Sequence, residues 1–289
     1  MEIIIAQKSG LCYGVKRALT IAKQTRRAVS GPVSTLGDLI HNPQVIADLR
    51  ACGVRSAAAA RDIEGGTVII RSHGVSPATY RALTRRNLKI VDATCPIVKE
   101  IQKLVESLAR KNREVIIIGD REHAEIRGLV GYSRSRGIII ENEAQARELP
   151  WQKKRAAVAQ STLDVELFEK VVAALAGRTG ELSVHNTICR FTRARQASTA
   201  ELASRVDTLF IVGGRASSNT RKLYRISKRI LRRTFFIETA GEIKPGMLRG
   251  ARTIGISGGA STPPEALEEA STRIKSSFEY EIKREKSVP

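Results

Sequence analysis

Three cysteines each open a helix-like segment, in Gly10-Leu11-Cys12-Tyr13-Gly14-Val15-Lys16, Ala93-Thr94-Cys95-Pro96-Ile97-Val98-Lys99 and Thr187-Ile188-Cys189-Arg190-Phe191-Thr192. Polar residues recur at matching distances. His41 lies 29 residues past Cys12, His123 lies 28 past Cys95, and Ser217, Ser218 and Asn219 lie 28 to 30 past Cys189. A second set follows, with His73 61 after Cys12, Ser161 66 after Cys95 and Ser261 72 after Cys189. An isolated cysteine is more often a buried small apolar residue. Cys52, in Arg50-Ala51-Cys52-Gly53, has no counterpart and keeps that reading. Three equivalent cysteines cannot be joined symmetrically by a disulfide, but three thiolates can share a metal centre. Structural zinc would want a fourth Cys or His. An iron–sulfur cluster on three thiolates would leave one iron open for chemistry. The compact CxxC spacing of zinc ribbons and ferredoxins is absent.

These residues need strands and helices to aim them. β-branched runs occur at Glu2–Ala6, Thr67–Ile70, Lys89–Val91, Val115–Ile118, Gly137–Ile140, Ala156–Ala159, Thr208–Val212 and Thr253–Ile256. Helical spacing occupies Tyr13–Arg26, Ile97–Arg110, Leu163–Ala176, Thr192–Arg205 and Lys222–Arg233. Alternation of the two predicts an α/β fold with largely parallel sheets. The echo divides the chain into 1–92 (Cys12, His41, His73), 93–186 (Cys95, His123, Glu125, Ser161) and 187–275 (Cys189, Ser217, Ser218, Asn219, Ser261), with 276–289 as a polar tail. Functional groups of α/β sheets collect beyond the carboxyl ends of strands. Three units about a pseudo-threefold axis, a trefoil, would therefore aim the cysteines and polar loops at one centre.

Composition bounds the setting. The 289 residues are 42% hydrophobic and 27% charged, a globular balance, with 49 Lys+Arg against 29 Asp+Glu for a net charge of +20. Four cysteines are too few for a disulfide-framed secreted scaffold. No apolar run approaches the roughly 20 residues of a membrane span, and the N-terminus carries no charged region leading into an apolar one. The expectation is a cytoplasmic protein with reduced thiols.

The ordered set Cys12-Tyr13-Gly14-Val15, His41-Asn42, Ser72-His73-Gly74-Val75-Ser76, Asp92-Ala93-Thr94-Cys95-Pro96, His123-Ala124-Glu125, Ser217-Ser218-Asn219 and Gly259-Ala260-Ser261 resembles the 4-hydroxy-3-methylbut-2-enyl diphosphate reductases. The resemblance runs from about Glu2 to about Ile274. It implies a trefoil of three α/β domains around one [4Fe–4S] cluster held by Cys12, Cys95 and Cys189, with one open iron. It also implies the last step of the methylerythritol phosphate route, a two-electron reductive dehydroxylation yielding isopentenyl and dimethylallyl diphosphates. His41, His73, His123, Ser217, Ser218, Asn219 and Ser261 would bind the diphosphate, Glu125 would donate protons, and Ser161 would relay them and contact substrate. His185 keeps the ordinary reading of a surface or hydrogen-bonded histidine. Ser161 stands where the family usually has threonine, and Ala216 where asparagine is common. Arg193 lies near Cys189 where an uncharged residue is typical. Arg127, two residues past Glu125, would lower the acid's pKa if the two came within about 4–6 Å.

The +20 charge is not required by a small diphosphate. Much of it falls on Arg225–Arg233, ordinarily a solvated helix face. It would suit steering of an acidic electron donor of ferredoxin or flavodoxin type. A nucleic-acid-binding protein with a metal-stapled fold is the rival from another class, weakened by 4% aromatic content and no binding motif. A non-redox iron–sulfur hydro-lyase is the rival enzyme, and electron consumption per product separates the two.

Overall fold

The computed structural model describes residues 2–285, with side chains to residue 277. Among the described residues twelve strands form three four-stranded sheets, every pairing parallel. One sheet runs in the order β3 (Val54–Ala57), β2 (Val33–Leu36), β4 (Thr67–Ile70), β5 (Lys89–Asp92). A second runs β7 (Ile138–Ile140), β6 (Glu114–Ile118), β8 (Gln152–Ala159), β9 (Thr179–His185). The third runs β11 (Thr234–Ile237), β10 (Thr208–Val212), β12 (Thr253–Gly258), β1 (Glu2–Ile5). The three orders are one pattern: second, first, third, fourth. Helices carry the crossovers that parallel pairing demands.

The central strands are continuous apolar runs because both faces are covered. Period-two alternation divides them between two cores. Ile116 and Ile118 pack with Phe168, Val171 and Leu175, while Val115 and Ile117 pack with Ile101, Val105 and Leu129. In the third sheet Phe210 and Val212 join Ile254 and Ile274 on one face, and Leu209 and Ile211 join Leu202 and Leu223 on the other.

By contact, Met1–Cys12, His41–Val45 and Arg190–Pro289 make one compact unit, which holds the third sheet, and Tyr13–Ile40 and Ile46–Cys189 make another, which holds the first two. The N-terminal strand therefore departs from the expected division at 1–92. β1 pairs with β12, Ile3 opposite Ile254 and Ile5 opposite Ile256, and completes the third sheet rather than the first. In consequence each cysteine closes its sheet's strand set instead of opening it. Cys95 follows β5, Cys189 follows β9, and Cys12 follows β1. His41 and His73 belong to the sheet that ends in Cys95. His123 and Ser161 belong to the one that ends in Cys189. Ser217–Asn219 and Ser261 belong to the one completed by the strand before Cys12.

The expected polar tail at 276–289 begins inside a helix. Helix α10 (Pro264–Glu285) continues well into it, anchored by buried Ala266, Leu267, Ala270 and Ile274; residues 286–289 lie outside the described residues. No helix among the described residues is long and apolar enough to cross a membrane.

Candidate active site

In each sheet the first and third strands are neighbours whose connections leave in opposite directions, the switch point at which α/β sheets bind ligands. His41 follows β2 and His73 follows β4; His123 follows β6 and Ser161 follows β8; Ser217 follows β10 and Ser261 follows β12. The fourth strand of each set delivers a cysteine, and one backbone contact recurs beside it. The N–H of Cys95 donates to Ser72 O at 2.9 Å, that of Cys189 to Ser161 O at 2.9 Å, and that of Cys12 to Ala260 O at 3.0 Å. Each cysteine is thus pinned to the polar loop after the third strand of its own sheet. None of the three is in a disulfide, and all are half-buried.

Local sequence keeps Cys95 accessible to a ligand. It is the N-cap of α4 (Pro96–Arg110), and its side chain makes no capping hydrogen bond. A Cβ on Gly14 would lie 2.6 Å from Cys95 Sγ, so that position of α1 (Tyr13–Ala28) must be glycine. The preceding turn is clamped by Asp92, whose Oδ1 accepts the Thr94 N–H at 2.9 Å and whose Oδ2 lies 2.7 Å from Lys99 Nζ. Burial pushes the Asp92 carboxyl up, but Lys99 and Thr94 outweigh it and hold its pKa below the ordinary value. A lowered folded pKa adds stability that is present above the unfolded value of about 3.9 and lost as pH falls through the folded one. Asp92→Asn is expected to cost about 1 kcal/mol at neutral pH. The gap between wild type and variant in urea unfolding should close as pH drops below about 4; a gap independent of pH would refute the clamp.

The acid of the site lies in the same unit. Helix α5 (Ala124–Tyr132) is capped by His123, whose Nδ1 accepts the Glu125 N–H at 3.2 Å. A neutral ring that accepts at Nδ1 carries its proton on Nε2 and presents a donor there. Glu125, 1% exposed, accepts the Ser161 N–H at Oε1 (2.6 Å) and the Ser161 hydroxyl at Oε2 (2.7 Å). The His73 ring packs edge-on to His123, centroids 5.0 Å apart. This unit therefore brings together His73, Cys95, His123, Glu125, Ser161 and Cys189.

The other unit gathers the remaining donors. Ser217 caps α9 (Ser218–Ile230), accepting the Thr220 N–H at 3.3 Å, which leaves its own hydroxyl proton to donate elsewhere. Ser261 Oγ donates to His41 O at 3.2 Å and lies 3.5 Å from Ser217 Oγ. Gly214 is confined by a close approach, since a Cβ there would lie 2.5 Å from His41 O. Ser218 is buried in the first turn. Asn42 Oδ1 accepts the Val45 N–H at 3.1 Å and turns the chain into α2 (Pro43–Ala51). Asn219 spends its Oδ1 on the Ala260 N–H at 3.0 Å, while its buried Nδ2 has no hydrogen-bond partner among the described residues. A buried donor left unmade costs about 1–3 kcal/mol. That donor and the N–H groups opening α9 fit an anionic ligand.

The residues set aside by sequence are also placed. His185 lies on β9 with Nε2 3.0 Å from Ser183 Oγ. Cys52, expected to be a buried apolar residue, is instead exposed, just past the end of α2. Arg127 gives its guanidinium to the Glu122 carbonyl and lies 3.8 Å from the Glu122 carboxylate, exposed to solvent, whereas Glu125 is buried. Arg193 and Ala216 are exposed. Sequence reading missed two anchors of the cysteine loops. Arg17 of α1 donates to Thr94 O at 3.1 Å, and Arg195 of α8 (Arg190–Ala203), 5% exposed, donates to Gly10 O at 2.6 Å. The available signal was an arginine five or six residues past a cysteine, on the helix the cysteine precedes.

Comparison with known proteins accords with this arrangement. Residues 3–275 match the family described as LytB protein. A 4-hydroxy-3-methylbut-2-enyl diphosphate reductase of Aquifex aeolicus is 41% identical over 285 residues, covering 98% of this chain and 99% of the relative. One of Caldanaerobacter subterraneus is 40% identical, covering 96% and 97%. A solved (E)-4-hydroxy-3-methyl-but-2-enyl diphosphate reductase, described as the terminal enzyme of the non-mevalonate pathway, is 42% identical, with a TM-score of 0.70 over 96% of this chain and 100% of that one. The solved Plasmodium falciparum reductase is 25% identical, with a TM-score of 0.90 over 94% and 87%. With a family match and close relatives spanning nearly its whole length, the chain belongs to the LytB family, the 4-hydroxy-3-methylbut-2-enyl diphosphate reductases.

Proposed function

We propose that this chain converts 4-hydroxy-3-methylbut-2-enyl diphosphate to isopentenyl and dimethylallyl diphosphates. One allylic C–O bond breaks, one C–H bond forms, and two electrons and two protons are consumed as water leaves. The observation that carries the reading is the threefold recurrence of one cysteine and two polar loops at the carboxyl ends of parallel strands. The donor set fits an iron–sulfur cluster: Cys12, Cys95 and Cys189 are soft ligands held in no disulfide, and glycine at position 14 keeps side-chain bulk off Cys95 Sγ. When bound, a [4Fe–4S] cluster on three cysteines supplies electrons and Lewis acidity.

The protein's own groups supply the rest. Glu125, once protonated, passes a proton toward the leaving hydroxyl. The Ser161 hydroxyl, already hydrogen-bonded to Glu125 Oε2, stands in series with it as a relay. His123 presents Nε2–H as a donor. His41, His73, His123, Ser217, Ser218, Asn219 and Ser261 bind the diphosphate, to which Asn219 Nδ2 adds a buried donor that no protein group takes. The net charge of +20 favours an acidic protein donor of ferredoxin or flavodoxin type. A cytoplasmic setting keeps the thiols reduced.

The test is anaerobic purification with iron and sulfide counting, then turnover with a chemical reductant. About four irons per chain and two electrons per product are expected. A preparation without iron, or product formed with no electrons consumed, would overturn the reading, the latter in favour of a hydro-lyase.

A further inference from the structure

Away from these residues, but in the unit that holds Glu125, lies a cavity of about 550 Å³, a volume typical of small-molecule sites. Its wall is built from α3 (Pro77–Arg85), α5 and the turn after α5. Each contributes one arginine: Arg81, Arg127 and Arg134. Arg81 and Arg134 make no side-chain hydrogen bond or ion pair among the described residues, so two guanidinium forks are uncommitted. The one acid in the lining, Glu106, is engaged by Arg110 at 2.7 Å.

Two further features belong to the cavity wall. Arg134 and Ser135 hold φ values of 56° and 59°, consecutive left-handed residues without a glycine. They follow α5, and the Ser135 N–H returns to Val130 O at 3.1 Å, which fixes the backbone that carries Arg134. Tyr132 also lines the cavity, and burial together with the nearby Asp92 and Glu106 carboxylates raises its pKa. Pro77 and Val130 supply apolar floor.

We propose that this cavity is a second anion site, which takes a small organic phosphate or diphosphate with its phosphoryl oxygens on Arg81 and Arg134 and its short carbon chain beside Pro77 and Val130. Arginine forks match phosphoryl oxygens in pairs. The ligand would bridge α3, which begins four residues after His73, to α5, which His123 caps. Occupancy would then bear on two helices that carry site residues at their starts. The site rests on this one unit and stands apart from the reading of the cysteine cluster.

The experiment is calorimetric titration of the iron-loaded protein with inorganic pyrophosphate at moderate salt. It compares wild type with the double variant Arg81→Ala, Arg134→Asn; asparagine tolerates the left-handed backbone and removes the guanidinium. A control pair, Arg225→Ala with Arg229→Ala on α9, tests general attraction to a basic protein. The cavity variant should lose a binding component, or weaken it at least tenfold, while the control keeps it. Arg81→Ala alone should weaken the component at least threefold, should the double variant fold poorly. Coincident isotherms for wild type and cavity variants, or an equal loss in the control, would overturn the proposal. Absence of iron in the starting protein would instead count against the proposed function and leave this site untouched.

Discussion

Cys95→Ser should lose its iron and at least a thousandfold in turnover, yet keep or gain stability as the metal-free protein. The two halves of this result have separate causes. A serine hydroxyl is a poor substitute for a thiolate toward iron. At an N-cap the order of preference reverses: serine accepts an N–H of the first turn, which the cysteine at the head of α4 does not do. That cap is worth about 0.5–1 kcal/mol to the apo fold. Cys52→Ser is the matched control, since Cys52 is exposed and unrelated to the repeat. Iron per chain, turnover and the urea midpoint of the metal-free protein are the three readouts. Retention of iron in Cys95→Ser would remove the cysteine from the ligand set. Loss of iron together with loss of apo stability would make its role structural.

Glu125→Gln should lower turnover by roughly 10²–10⁴-fold, the usual worth of a positioned general acid. Its size and its acceptor for the Ser161 N–H are preserved, so iron content and unfolding should stay near wild type. Ser161→Ala removes the relay but not the acid, and a smaller loss of about tenfold is expected. Ser161→Thr keeps the hydroxyl and adds a stiffening methyl, and it should match or exceed wild type. A loss in Ser161→Thr equal to that in Ser161→Ala would show packing rather than proton transfer at this position. Turnover unchanged in Glu125→Gln would take the carboxylate out of the reaction. Arg127 does not stand in the way of that role, because its guanidinium is committed to the exposed Glu122.

Much was legible before any coordinates. The runs Thr67–Ile70, Val115–Ile118, Thr208–Val212 and Thr253–Ile256 all read as strands and are strands, because a strand covered on both faces is an unbroken apolar run. The helices at Tyr13, Ile97, Leu163 and Thr192 were equally visible through their apolar spacing. Short strands such as Val33–Leu36, Val54–Ala57 and Thr234–Ile237 were not, since four residues with mixed polarity carry too little periodicity. The helix ending at Glu285 was hidden by the charge run at its end, which masks an apolar stripe of four residues.

Residue types and their order determined the chemistry on offer: three soft ligands, a ring of hydrogen-bond donors and one acid beside a histidine, each at the end of a strand-like run. Local composition sufficed for this because side-chain chemistry and apolar periodicity are properties of neighbours in sequence. Tertiary structure alone decided how those parts are grouped. Parallel pairing joins strands through long crossovers, and no local signal states that Glu2–Ile5 lies against Thr253–Ile256 at the far end of the chain. That single non-local pairing moves Cys12 from the head of the first repeat to the close of the third. It also sets the hydrogen bond from Cys12 N to Ala260 O, as the corresponding pairings do for Cys95 and Cys189. The burial of Glu125 against Ser161, 36 residues away along the chain, was likewise fixed only when β6 and β8 came to lie side by side.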